Sequence, residues 1–301
     1  MRKALLLLML ALPLHATEIG RSGAHVFHSS FWMNLHERLR HESMHAEEHA
    51  FSGAETAAWR QALVVYRTEV GSKNPIFDRG LALVWHALAA TPDDATPKDI
   101  PPLLIEALQQ AAPVYRARLW KEDDARNRFW TRVAVVMLDE AGAEMARGIS
   151  RVYGTTFPKR IDMEVAPFVD EYGAATPDAH DGKYLTVVAS NDPAYQGFNA
   201  LEMMFHEPMH HFDQAMLRDI DAAANGAKVP RNLSHALLFY TSGELARRAW
   251  AKRGIVYTPI ANEVANRAWK DLIAPIEKDW TPVLDGKVSR AKALQSLIKP
   301  E

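Results

Sequence analysis

The segment Phe205-His206-Glu207-Pro208-Met209-His210-His211 contains the pattern H-E-x-x-H. On a helix, residues four apart share a face. His206 and His210 can therefore offer two imidazole nitrogens to one metal ion, while Glu207, one step round, lies beside the ion without ligating it. That is the placement of a general base acting on a metal-activated water. Zinc (Zn2+) is the expected ion, because imidazole and carboxylate ligands with one position left open are its usual catalytic coordination. With 13 histidines in 301 residues and glutamate at roughly 7%, chance supplies such a string only about 0.04 times in a chain of this length. Pro208 removes an N–H from the helix and frees the carbonyl of Met204. The helix either begins close to Phe205 or is kinked at the motif.

A three-ligand site needs one more donor. Glu244, in Gly243-Glu244-Leu245 on the next long helical stretch, is the expected third ligand, with Gly243 allowing that helix to approach the histidine helix closely. Asp213, Glu202 and His211 are the rival donors. Asp213 suits a different task, accepting a hydrogen bond from a ligand imidazole, since ligating histidines need such a partner. Hydrolysis of an acyl group also requires a donor aimed at the developing oxyanion. Tyr240, one turn before Glu244, and His235, at the start of the same helix, are the candidates.

An H-E-x-x-H helix followed on a second helix by a glutamate in a Gly-Glu context resembles the gluzincin zinc metallopeptidases, of which thermolysin is the familiar member. The resemblance covers about residues 184–250 and includes the strand-like Lys183–Ser190, similar to the edge strand along which their extended substrates lie. It implies His206, His210 and Glu244 as zinc ligands, Glu207 as catalytic base, a Tyr or His as oxyanion donor, and a peptide or protein as substrate. The chain departs from the thermolysin pattern at Pro208 and at Arg248, where that pattern has an aspartate. The metzincin pattern fits less well, with Asp213 in place of a glycine and Met216 in place of the third histidine.

The elements that must hold these residues are mostly helical. Apolar residues recur at three- and four-residue spacing near 31–51, 55–70, 78–90, 102–118 and 122–151, punctuated by Gly71, Pro75, Pro92, Pro97, Pro101 and Pro102. After Gly154, Arg160–Phe168 and Lys183–Ser190 have the β-branched and aromatic content of strands. Helices return over 194–224, 234–253 and 261–298. The expected fold is mainly α (α+β), a multi-helical protein with one small sheet beside the H-E-x-x-H helix and a gluzincin-like core. The expected division is a signal peptide at 1–16, a helical region at 17–155 and a metallopeptidase-like region at 156–301.

Residues 1–16, MRKALLLLMLALPLHA, combine two basic residues, an apolar run and a small residue before Thr17, the layout of a secretory leader. Export to the periplasm or the extracellular space is expected, with no membrane span in the mature chain. Loss of Arg2 and Lys3 with the leader takes the basic count from 35 to 33 against 37 acids and the net charge from −2 to −4. That balance excludes a dedicated nucleic-acid binder, which needs a basic footprint. The absence of cysteine excludes disulfides, thiolate metal sites and a thiol nucleophile. A second histidine group, His41, His45 and His49, falls at helical spacing and is expected to be solvated or a weak metal stripe, with His36 lining a groove. The alternative to an enzyme is a non-catalytic zinc-binding or partner-binding protein of the envelope using the same residues.

Overall fold

The computed structural model describes residues 18–71, 73–169, 173–177 and 179–298; the expected leader at 1–16 lies outside them. The chain is mainly helical with one small five-stranded mixed sheet. It begins with a hairpin, β1 (Glu18–Ser22) and β2 (His25–His28), turned at Gly23, whose φ of +56° a side chain would strain. Five helices follow: α1 (Phe31–Met44), α2 (Gly53–Glu69), α3 (Arg79–Ala89), α4 (Pro102–Arg118) and α5 (Trp120–Tyr153). Their boundaries follow local chemistry. Ser52 and Glu55 form a capping box on α2, Asp78 caps α3, Pro102 opens α4, and Gly154 closes α5 in the left-handed region.

The chain then returns to the sheet through β3 (Ile161–Ala166), β4 (Ala174–Ala175) and β5 (Thr186–Ala189). The strand order is β1-β2-β3-β5-β4, with β2, β3 and β5 parallel and the two outer strands antiparallel to their neighbours. Both strand-like segments read from the sequence are strands, but Lys183–Ser190 does not form the edge. The two-residue β4 folds back and pairs with it, Ala174 opposite Val188 and Ala175 opposite Val187.

The remaining helices are α6 (Asn199–His206), α7 (Asp213–Ala224), α8 (Leu233–Ala251), α9 (Ile260–Ala268), α10 (Ile273–Leu284) and α11 (Arg290–Leu297), with a 3-10 segment at Glu207–Phe212 between α6 and α7. The sheet is covered on both faces. On β5, Val187 and Ala189 join the core built with α1–α4, while Val188 joins the core built with α5–α8, α10 and α11. Residue 155 therefore does not divide the packing. β1 and β2, from the region expected at 17–155, pair into the same sheet as β3, and α5 belongs to the core of the C-terminal helices through Trp130, Leu138 and Met145. A buried polar seam ties the halves together, where the Asn127 amide on α5 meets Ser29, Asn34, Val165 and Ser190. No helix among the described residues is long and apolar enough to cross a membrane.

Candidate metal centre

The motif helix is re-wound at its proline. α6 runs normally to His206, with the Glu207 N–H donating to Met203 O, and the next six residues tighten to a 3-10 helix before α7 resumes. Of the two outcomes expected for Pro208, an interruption at the site is the one found. The Met204 carbonyl that Pro208 cannot serve is taken by His25 of β2, whose Nε2 donates to it at 2.7 Å. Burial drives the His25 imidazole down to about 4, so it is a neutral donor at ordinary pH. The strand hairpin thus holds the motif in place.

Three imidazoles converge. His206, His210 and His235 each present a ring nitrogen, and these nitrogens all lie within 4.8 Å of one another. The rings of His206 and His210 have centroids 5.3 Å apart, and His235 stands 5.4 Å from His206 and 5.3 Å from His210. His206 is buried, and its Nδ1 has no partner among the described residues. The His210 Nδ1 is paired at 2.7 Å with Asp213 Oδ2, the acceptor task expected of that aspartate. This fixes the His210 tautomer with the proton on Nδ1 and leaves Nε2 as the lone-pair nitrogen. Burial, reinforced by the neighbouring imidazoles, pushes His206 well below its ordinary value, and burial takes His235 to about 4. Burial also pulls His210 down, but the Asp213 hydrogen bond and the Glu207 charge outweigh it and leave the group raised. His206 and His235, held neutral, and His210, oriented by a carboxylate, form a set of three nitrogen donors that fits a tetrahedral divalent ion such as zinc with one position open.

Glu207 lies next to this trio on the sheet side. Its Oε2 accepts a hydrogen bond from Thr176 Oγ1 at 2.9 Å, and Thr176 is itself paired with the Thr186 hydroxyl at 2.8 Å. The carboxylate is thereby anchored to the ends of β4 and β5 while its charge acts on His210. Around the trio stands an aromatic wall. The Phe239 ring stacks on His206 at 3.6 Å, Trp269 packs edge-on to His235, and Tyr184 stacks on His211 at 3.7 Å.

Three expectations are corrected here. Glu244 is not part of the cluster: its oxygens accept from Arg247 at 2.6 and 2.8 Å and from Arg248 at 2.7 Å, which hold its carboxyl below the usual range against the effect of burial. Nine residues separate it from His235, which turns it about 180° around α8. Once His235 faces α6, Glu244 must face away. Tyr240, about 140° round from His235, points to α10 and pairs with Thr281 Oγ1 at 2.6 Å, so it does not reach the imidazoles. His235, expected as an oxyanion donor, instead joins the cluster of His206 and His210. Gly243 does permit a tight approach, but of Ala261, Pro259 and the Glu202 carboxylate, where a Cβ would come within 2.8 to 3.1 Å. Glu202, a rival donor, instead accepts from the N–H groups of Ile260 and Ala261 and from the Tyr257 hydroxyl, and so fastens the start of α9.

Comparison with known protein families, with curated proteins and with solved structures returns no match, so the reading of this site rests on its geometry.

The second histidine group does not form a stripe. α1 ends at Met44, so His49 leaves the helical register. His41 stacks on Phe168 at 4.0 Å, half-buried rather than solvated, and burial lowers it to about 4. His49 pairs with Glu42, and Glu42, Glu47 and His49 bring ligand atoms together. The Glu42 oxygens are already taken by Arg38, Trp59 and His49, so the cluster is an ion-pair network. His36 lines no groove: it is fully buried and paired with the Tyr66 hydroxyl.

Thr176, Phe239, Trp269 and His25 were not anticipated from the sequence. Phe239 had a signal, being one turn from His235 on the same face. Thr176 lies in a loop and His25 in a hairpin strand 181 residues before His206, and no local pattern ties either to the motif.

Proposed function

We propose that the chain is an exported, zinc-dependent hydrolase, a metallopeptidase that cleaves peptide bonds, with His206, His210 and His235 as metal ligands and Glu207 as general base. The observation that carries this reading is the convergence of three imidazole nitrogens within 4.8 Å beside the anchored carboxylate of an H-E-x-x-H motif. A zinc ion, when bound, brings a coordinated water to a pKa of about 7 and polarises a carbonyl. The chain's own residues supply the rest. Asp213 keeps the His210 proton on Nδ1, and the buried, neutral His206 and His235 keep their lone pairs for the ion. Glu207, steadied by Thr176, takes the proton of the attacking water and delivers it to the departing nitrogen. The aromatic wall of Phe239 and Trp269 limits water around the imidazoles and strengthens the electrostatics inside. The fold proposed to carry this chemistry is gluzincin-like in its motif helix and following long helix, with a histidine rather than Glu244 as third ligand. The leader expected at 1–16 would deliver the enzyme outside the cytoplasm.

The deciding experiment measures metal per chain and hydrolysis of a broad peptide library. Glu207→Gln should retain one zinc and lose hydrolysis, His235→Ala should lose the metal, and Glu244→Ala should keep both. Zinc retained by His235→Ala and released by Glu244→Ala would overturn the ligand assignment. A zinc-loaded wild type that cleaves no peptide would favour a binding protein over an enzyme.

A further inference from the structure

The faces of α5 and α8 that cross at Gly148 and Leu245 open into a cavity of about 610 Å³, within the range that small ligands occupy. The crossing is close, a Cβ at Gly148 falling 3.0 Å from the Leu245 side chain, so the floor is a glycine of α5 packed against that side chain. Its walls carry Arg147 and Arg151 from α5 and Arg247, Arg248 and Lys252 from α8, against Glu144 as the one lining acid. This cationic excess stands in a chain whose formal charge is −2.

The internal partners neutralise it only in part. Arg247 and Arg248 share the carboxylate of Glu244, Arg248 also reaches Asp285 Oδ1 at 2.8 Å, and Glu144 is already bound by Lys252 and Arg253. Arg151 reaches only the Leu284 carbonyl at 3.3 Å. Arg147 has no hydrogen bond or ion pair among the described residues. Arg147 and Arg151 are four residues apart, so two like charges stand side by side on one helix face, an arrangement that is unfavourable without a counter-charge. Guanidinium groups present paired N–H donors that match phosphate and carboxylate oxygens two at a time.

We propose that this cavity is a binding site for a soluble anion bearing two or more phosphate groups, held between Arg147 and Arg151 on one wall and Arg247 and Arg248 on the other. Twelve residues separate His235 from Arg247, about 18 Å along α8, so the site is distinct from the imidazole cluster and does not depend on its chemistry.

Pyrophosphate is the probe, titrated calorimetrically into the full chain at low ionic strength, with phosphatidylglycerol vesicles as a second arm. One pyrophosphate per chain is expected. The exposed pair Arg147→Gln/Arg151→Gln should weaken it by about tenfold or more, while the charge-matched pair Arg60→Gln/Arg267→Gln, neither of which lines the cavity, should change it less than about twofold. Equal weakening by both pairs would show general charge attraction and overturn the site. Absence of binding would overturn it too, as would binding to vesicles without binding to pyrophosphate.

Discussion

Replacing His25 by phenylalanine should loosen the motif helix by a predictable amount. His25 is 2% exposed and donates to Met204 O at 2.7 Å, the carbonyl that Pro208 leaves without its usual N–H. The surrounding rings of Phe27, Phe157 and Phe205 will accept another aromatic, so the change removes the donor to Met204, and the backbone contact with Ser22, with little change of shape. A buried carbonyl stripped of its partner costs about 1–3 kcal/mol. At roughly 2–4 °C of Tm per kcal/mol for a chain of this size, the melting temperature should fall by about 2–12 °C. The decisive comparison is with Pro208→Ala, which restores an N–H four residues after Met204. In that background His25→Phe should cost at least about 1 kcal/mol less, a coupling expected only of groups that share a partner. Urea unfolding followed by tryptophan fluorescence measures all four members of the cycle. Additivity within about 0.5 kcal/mol would refute the shared carbonyl and the claim that the hairpin pins the motif.

Asp213→Asn keeps an acceptor for His210 but removes its charge, and zinc affinity should fall about ten- to a hundredfold with the melting curve of the metal-free chain nearly unchanged, as read by competition with a chelator. Stability should also drop in acid because of His25. Its folded value, about 4, lies below the free value of 6.5, so its contribution is complete above pH 6.5 and is lost as the pH falls toward 4, a difference of about 3 kcal/mol. His25→Gln, a donor that does not titrate, should flatten that part of the stability–pH curve, and an unchanged slope would exclude His25 as its source. Glu202→Ala strips the start of α9 of the carboxylate that accepts from Ile260 and Ala261, so amide exchange over 260–268 should accelerate while α8 stays protected.

Much of this architecture is legible in the order of residues. Apolar spacing and proline punctuation locate α2 to α5 within about two residues and the start of α1, whose end falls at Met44 rather than near 51, because each buries one face and the pattern of that face is written locally. β3 and β5 announce themselves by their composition. The pair His206 and His210, the carboxylate of Glu207 and the partner Asp213 lie within eight residues, a span over which helical geometry relates side chains without help from the rest of the chain. The disturbance at Pro208 is equally local, since it follows from one missing N–H.

What the tertiary structure decided is which face of α8 turns toward the motif. His235 and Glu244 are both polar residues on one helix, about half a turn apart, and the sequence carries no mark of which one looks inward. The answer comes from packing: Phe239, one turn after His235, stacks on His206, while Arg247, Arg248 and Asp285 hold the opposite face in an ion-pair network. The same holds for Thr176 and His25. Each meets the motif because the β4 fold-back and the N-terminal hairpin join one sheet, and strand pairing between distant segments is set by the whole fold rather than by neighbours in sequence.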